Sequence, residues 1–263
     1  MNIKRSDSHL SVCVLGSGSK GNAIFVSDGA TSILFDAGLS GIEIERRLAS
    51  RGLAPEQIDA IVVSHEHSDH IQGVGVFSRR YQLPVHITQK THRAAENFLG
   101  KIRMPVNFQC GNPFRIGSLA IHPFSISHDA VDPVGFTISS NGIRLGIATD
   151  LGIATTMVRE HLKGCDLIVM EANHDSRMLS EGPYPWPLKQ RVKSRAGHLS
   201  NDDAKALLAE VKQDRLKHVI LAHLSETNNT QEKAVAKVGE AICGSGIKLV
   251  AACQDCSSQM IRV

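Results

Sequence analysis

Ser64-His65-Glu66-His67-Ser68-Asp69-His70 follows directly on the apolar run Ile58-Asp59-Ala60-Ile61-Val62-Val63, and it packs three imidazoles and two carboxylates into seven residues. Imidazole nitrogens and carboxylate oxygens are the donors that hold divalent ions such as zinc. In an extended stretch His65 and His67 project to the same side, so both reach one ion. Asp69 and His70, past the turn, reach a second ion beside it.

Further ligands are expected where other apolar strands run into loops, because a rigid scaffold presents its functional groups there. Three places qualify: His128 after Pro123-Phe124-Ser125-Ile126-Ser127, Asp150 after Leu145-Gly146-Ile147-Ala148-Thr149, and His223 after His218-Val219-Ile220-Leu221-Ala222. A single histidine at such a position is more often structural, and it is the joint pattern that argues for metal. That pattern assigns His65, His67 and His128 to one ion, Asp69, His70 and His223 to the other, and Asp150 to a place between them.

The chain has 263 residues with 42% hydrophobic content, enough to bury a large core, either as one domain over residues 1–263 or as two fused halves. A formal charge of +3 is too mild to demonstrate nucleic-acid binding, though it leaves room for a local basic patch. Met1-Asn2-Ile3-Lys4-Arg5-Ser6 is basic, but no apolar stretch long enough for a signal peptide follows it, and no run approaches a membrane span. A cytoplasmic protein with no membrane partner is expected. The six cysteines, at 13, 110, 165, 243, 253 and 256, lack the short spacings of a secreted disulfide framework and are expected to be reduced. Cys253-Gln254-Asp255-Cys256 has no second pair or nearby histidines to complete a zinc knuckle, so it reads as a C-terminal turn.

Short β-like runs fall in two groups separated by helical stretches. Strands are expected over 10–15, 23–27, 32–36, 60–63, 85–87, 119–124, 134–139, 144–149, 167–170, 218–222 and 248–251. Helices are expected over 41–51, 71–81, 91–99, 154–163, 201–213 and 230–242, with Ser200 and two aspartates starting the fifth. Two sheets face to face with helices outside fit this order. Gly16-Ser17-Gly18-Ser19-Lys20-Gly21 matches a dinucleotide-binding pattern, but a second strand follows it, so no helix N-terminus is available for a pyrophosphate. The glycines make a hairpin loop. Its amides and the side chains of Ser17, Ser19 and Asn22 are candidates for contact with a substrate phosphate.

The Ser-His-x-His-x-Asp-His segment, the later His128, Asp150 and His223, and Leu34-Phe35-Asp36-Ala37-Gly38 together resemble the metallo-β-lactamase superfamily over nearly the whole chain. The resemblance implies an α+β fold, the αββα four-layer sandwich, with two divalent metal ions at one edge. It also implies that Asp36 supports the ligand loop from behind rather than binding metal. Relatives with a redox di-iron centre carry Glu at the place of His67, and lactam hydrolases carry Cys at the place of Asp150. The 73 residues from Asp150 to His223 are too few for the inserted domain of β-CASP nucleases. Phosphodiester, thioester or lactone hydrolysis remains.

Asp166-Leu167-Ile168-Val169-Met170-Glu171-Ala172 and Gly197-His198-Leu199-Ser200 resemble motifs of the transfer-RNA 3′-processing members, in which the Glu and His form a proton-delivering pair. Met170 departs from that pattern, and no segment corresponds to their transfer-RNA-gripping arm. Within the superfamily the chain is most similar to the YycJ (WalJ) type of small exonuclease, on Gly-Ser-Gly-Ser-x-Gly-Asn, Pro-Tyr-Pro-Trp-Pro-Leu-Lys and Gly-His-Leu-Ser-Asn. That similarity implies a nucleic-acid partner, 5′-to-3′ degradation of DNA and a place in mismatch repair.

Between Gly182 and Arg195, Tyr184 and Trp186 sit among prolines and precede Lys189, Arg191, Lys193 and Arg195. Aromatic faces can stack on bases and the cations can neutralise phosphates; a buried anchor followed by a solvated basic helix would look the same. The implied mechanism has the metal pair hold the phosphate and activate water, Asp69 accept the water's proton, and His198, oriented by Glu171, protonate the leaving oxygen. The donor set suits Zn²⁺ and is compatible with Mn²⁺. Two alternatives stay open: a small-molecule metallohydrolase acting on a thioester, lactone or cyclic nucleotide, and a noncatalytic module using metal for structure. Oligomeric state is not encoded in these motifs.

Overall fold

In the computed structural model, which describes residues 9–263, each half of the chain builds one mixed sheet. The basic start Met1 to Ser6 lies outside the described residues. The first half contributes β1 (Ser11–Gly16), β2 (Ala23–Ser27), β3 (Ser32–Phe35), β4 (Ala60–Val62), β5 (Val85–Thr88) and β6 (Pro105–Phe108). Its helices are α1 (Gly41–Ala49), α2 (Ser68–Ile71), α3 (Val74–Tyr81) and α4 (Gln89–Leu99). The second half contributes β7 (Phe114–Ile116), β8 (Leu119–Ser125), β9 (Val134–Ser140), β10 (Ile143–Ala148), β11 (Leu167–Glu171), β12 (His218–Ala222) and β13 (Lys248–Ala251). With them come α5 (Thr156–Leu162), α6 (Ser176–Glu181), α7 (Trp186–Lys193), α8 (Asn201–Val211) and α9 (Gln231–Gly239), and β14 (Ile261–Arg262) returns to pair with β1. The sheet orders are β14-β1-β2-β3-β4-β5-β6 and β13-β12-β11-β10-β9-β8-β7.

The two sheets pack through one apolar layer in which Val12, Val26, Ile33 and Phe35 meet Ile121, Phe136, Leu145, Val169 and Ile220. A second layer joins the outer face of the first sheet to Ile44 and Leu48 of α1 and Val74 and Phe77 of α3. A third joins β10, β11 and β12 to Val158, Leu207, Leu208 and Val238 of the helices opposite. Helix, sheet, sheet, helix is the expected sandwich. It follows from strands buried on both faces, which need a helix on one side and a second sheet on the other.

The parallel part of each sheet delivers the polar residues to one edge. In the second sheet Ala148 pairs with Met170 and Glu171 with Ala222, so the chain leaves β10, β11 and β12 side by side. Asp150 and His223 then take left-handed backbone with φ of 58° and 54°, and Asp36 after β3 does the same at 58°. Non-glycine residues held in this region cost energy that the surroundings must repay, and such residues cluster at functional sites.

Departures from the sequence reading are local. The helix expected over 71–81 is broken into α2 and α3 at Gly73, whose N–H donates to Ala37 O (2.7 Å) and where a Cβ would lie 2.2 Å from Leu39 O. β6, β7, β14, α6 and α7 were not expected. α7 occupies the proline-flanked aromatic and basic stretch: Pro185 caps it and Pro187 sits in its first turn, where a missing N–H costs nothing. The acidic start at Ser200 is a capping box closed by Asp203, as the sequence suggests.

Candidate metal and catalytic site

Asp36 organises the His-rich loop from behind. Its Oδ1 accepts the Ser64 N–H (2.8 Å), and its Oδ2 accepts Ser64 Oγ (2.8 Å) and His70 Nδ1 (2.7 Å). With its one proton given to Asp36, Ser64 Oγ accepts His65 Nδ1–H at 2.9 Å. Both rings are thereby fixed with Nδ1–H engaged and Nε2 turned to the cluster. Asp69 and His70 lie in the first turn of α2, with His67 at its N-cap, rather than in a continued extended stretch. The turn is locked where Ala37 N–H meets His70 O (2.9 Å) and Asn22 N–H meets Asp69 O (2.7 Å). At Gly38 a Cβ would sit 1.6 Å from Asp69 O, so only glycine allows that approach.

The expected ligands converge. Donor atoms of His65, His67 and His128 lie within 4.8 Å of one another, as do those of Asp69, His70 and His223, and those of His65, His70 and Asp150. Asp150 stands between the sets, with Oδ2 3.3 Å from His70 Nε2, and Oδ1 3.4 Å from His223 Nε2 and 4.0 Å from His128 Nε2. His67 Nδ1 and His128 Nε2 face each other at 3.1 Å. His65 Nε2 and Asp150 Oδ2 are buried without any hydrogen-bond partner. Buried polar atoms are almost always partnered, and lone pairs left facing one another across a cluster of this donor type fit divalent cations. Burial, aided by the charge on His70, pushes the His65 imidazole well below its usual range. At His70 burial acts in the same direction, but the carboxylates of Asp150, Asp36 and Asp69 outweigh it and hold the ring well above that range.

Glu171, fully buried at the end of β11, uses both oxygens twice. Oε1 accepts His198 Nδ1 (2.8 Å) and His223 Nδ1 (3.0 Å), and Oε2 accepts the N–H of Leu151 (2.8 Å) and of Leu199 (3.0 Å). Burial raises its pKa, yet the interactions with His198 and His223 prevail and hold the carboxyl at about 2. The sequence reading gave Glu171 to His198 alone; the structure adds the metal-ligand candidate His223. His174, which lies near this pair, is buried with Nδ1 unpartnered, and burial lowers its pKa to about 4.

A cavity of about 370 Å³ opens over the cluster, lined by His67, Asp69, His128, Asp150, His198 and His223 together with Ser19, Tyr184, Leu188 and Arg191. The substrate-contact expectations divide here. Ser19, Tyr184 and Arg191 line the cavity. Ser17 and Asn22 do not: Ser17 Oγ accepts the His223 N–H (2.8 Å), and Asn22 holds the Gly18 N–H (2.8 Å) while its Nδ2 approaches His70 Nε2 (3.0 Å). Both are buried parts of the ligand scaffold. Trp186 is 71% exposed and lies off the cavity, and Lys189 Nζ donates to Ser180 O (2.8 Å). The reason is the helix: Lys189, Arg191 and Lys193, at alternating positions, spread around α7, Arg195 falls beyond its end, and only the face carrying Leu188, Arg191 and Val192 meets the site. Asp129 was missed, although an acid directly after a strand-end histidine is a readable signal; it lies between His128 and Arg191.

Residues 31–224 match the family described as "Beta-lactamase superfamily domain", and the chain belongs to this superfamily. It is 39% identical over 231 residues to Exodeoxyribonuclease YycJ of Bacillus anthracis, covering 87% of this chain and 88% of that protein. To Exodeoxyribonuclease WalJ of Streptococcus pneumoniae it is 38% identical over 242 residues, or 89% and 90% of the two chains. The solved metallo-β-lactamase fold protein YhfI of Bacillus subtilis shares the fold with a TM-score of 0.73 at 18% identity, covering 96% of this chain and 99% of that one.

Proposed function

We propose that this chain is a divalent-metal-dependent exodeoxyribonuclease whose centre holds two ions, with His65, His67 and His128 around one, Asp69, His70 and His223 around the other, and Asp150 shared. The observation that carries the reading is His198, held from behind by the buried Glu171, lining the same cavity as the ligand cluster, in a chain so close to two exodeoxyribonucleases. Zinc and manganese both suit the donors. The 5′-to-3′ direction and a task in DNA repair rest on the resemblance of motifs alone.

When bound, two divalent ions supply positive charge to a phosphoryl group and make water acidic enough to attack near neutral pH. Asp69, whose Oδ2 is 3.4 Å from His223 Nε2, takes up the proton of the attacking water. His198 carries the opposite task. With Nδ1–H given to Glu171, its Nε2 is the atom that delivers a proton to the departing sugar oxygen. Stacked on His223 at 5.0 Å between ring centroids, the His198 ring is also held in place sideways.

The test is incubation with 5′-labelled and 3′-labelled linear DNA and RNA in Zn²⁺ or Mn²⁺. Progressive release from the 5′ end of DNA is expected. Cleavage of RNA alone, or of neither polymer while thioesters and lactones are hydrolysed, would contradict the reading. Among the described residues no helix is long and apolar enough to cross a membrane.

A further inference from the structure

Asp129 follows a candidate ligand in the chain and faces two of them. Its Oδ1 lies 3.4 Å from His128 Nε2 and 3.9 Å from His67 Nε2, while its Oδ2 accepts Arg191 Nε at 2.6 Å. The segment bearing it is pinned to the chain just after α7: Asp129 N–H donates to Ala196 O (3.1 Å) and Ser127 Oγ donates to Arg195 O (2.7 Å). Carboxylate, ligand loop and helix are therefore one rigid unit. Among the described residues that line the cavity, Arg191 is the one Lys or Arg, set against Asp69, Asp129 and Asp150. A polyanion entering beside three carboxylates needs more positive charge than the ions alone, and an arginine anchored through Nε presents its two Nη groups as a preset fork for phosphate oxygens.

We infer that Asp129 is a positioning residue that holds Arg191 over the metal cluster as the phosphate grip, so that the cavity takes one terminal nucleoside monophosphate unit of the strand at a time. This rests on the nuclease reading above. The cavity volume of about 370 Å³ is at the low end of the roughly 300–1,000 Å³ of small-ligand sites, which suits one nucleotide. Tyr184 on its wall supplies a face for the base or sugar. Arg191 is gripped through Nε, so a lysine at 191 would keep the charge but lack the N–H that the carboxylate accepts and the fork beyond it.

The test measures binding of 2′-deoxyadenosine 5′-monophosphate and of 2′-deoxyadenosine to the metal-loaded enzyme by equilibrium dialysis, beside metal content and steady-state kinetics on single-stranded DNA. Arg191→Ala and Arg191→Lys should weaken the monophosphate about tenfold or more, and Asp129→Asn about threefold to tenfold, a tenfold change being about 1.4 kcal/mol. The nucleoside should bind all forms alike. Asp129→Asn should keep its metal, and its KM for DNA should rise far more than its kcat falls. Monophosphate binding indifferent to Asp129→Asn would overturn the inference, and so would metal loss from that variant, which would make Asp129 a ligand. Oligonucleotide instead of mononucleotide products from the unmodified enzyme would overturn the one-unit cavity. Failure of the nuclease reading is separately visible, as absence of cleavage of any labelled nucleic acid.

Discussion

Glu171 carries four hydrogen bonds at the meeting point of metal and proton chemistry, and substitutions there and at His198 should separate the two. His198→Ala should retain its metal while slowing phosphodiester cleavage by roughly 10²–10⁴-fold, the contribution of a positioned general acid. On a nitrophenyl phosphodiester, whose leaving group needs no proton, the defect should shrink; an equal defect on both substrates would mean that His198 binds rather than protonates. Glu171→Gln should be at least as damaging. One edge of the amide would be an NH₂ facing either two imidazole N–H groups or the N–H groups of Leu151 and Leu199, since all four present partners are donors. Metal affinity should fall about 10–100-fold with it, because His223 loses its orientation. Full metal retention in a competition titration would show that Glu171 serves His198 alone. At this scale the seven candidate ligands were legible, because histidine and aspartate in that spacing have few other uses. The second partner of Glu171 was not, since it depends on β11 and β12 lying in register, a pairing such as Glu171 with Ala222 between residues 51 apart in the chain.

Helix α1 ties the hairpin of the site to the C-terminal turn. Arg47, buried, donates Nη1 to Leu15 O (2.8 Å) and to Gln254 O (2.8 Å). Glu43 answers Arg46 and Arg47, and the hydrogen bonds from Arg46, with those from Arg47, hold its carboxyl at about 2 against the opposing effect of burial. A depressed carboxyl stabilises the fold above its unfolded pKa and loses that contribution as pH falls toward the folded value. Glu43→Gln should therefore cost about 1.5 kcal/mol at pH 7, by urea unfolding, and the gap should close between about pH 4.5 and pH 2. A difference independent of pH would contradict the assignment. α7 makes a second prediction: Trp186→Ala with Lys189→Ala should weaken long single-stranded DNA and flatten the salt dependence of binding, with little change in hydrolysis of a small phosphodiester. An equal loss on both would indicate damage to the helix. Elements differed in legibility for physical reasons. β11 and β12 are nearly continuous apolar runs; β6 and β7 are short and at most half-buried apart from Phe108, with no pattern to read. The prolines at 185 and 187 look like helix breakers until they fall at the cap and first turn.

Both sheets contribute to the centre: His65, His67, Asp69 and His70 follow β4 of the first, while His128, Asp150 and His223 follow strands of the second. Ser17, on the first sheet's β1–β2 turn, accepts the His223 N–H, so the halves also interlock behind the ligands. A metal bound there would cross-link the layers and stabilise the native state by mass action, about 2.7 kcal/mol at a hundredfold excess over Kd. The four-layer architecture was readable because the strand groups and their connecting helices repeat in each half, whereas the return of β14 to the first sheet was carried by only two residues, Ile261 and Arg262. The claim on which the rest depends is a two-ion centre assembled across the sandwich with Asp150 shared. Elemental analysis of the purified protein and of Asp150→Asn tests it. Two divalent ions per chain, falling in the variant at both sites, is the predicted result; one ion per chain, undiminished by Asp150→Asn, would contradict it.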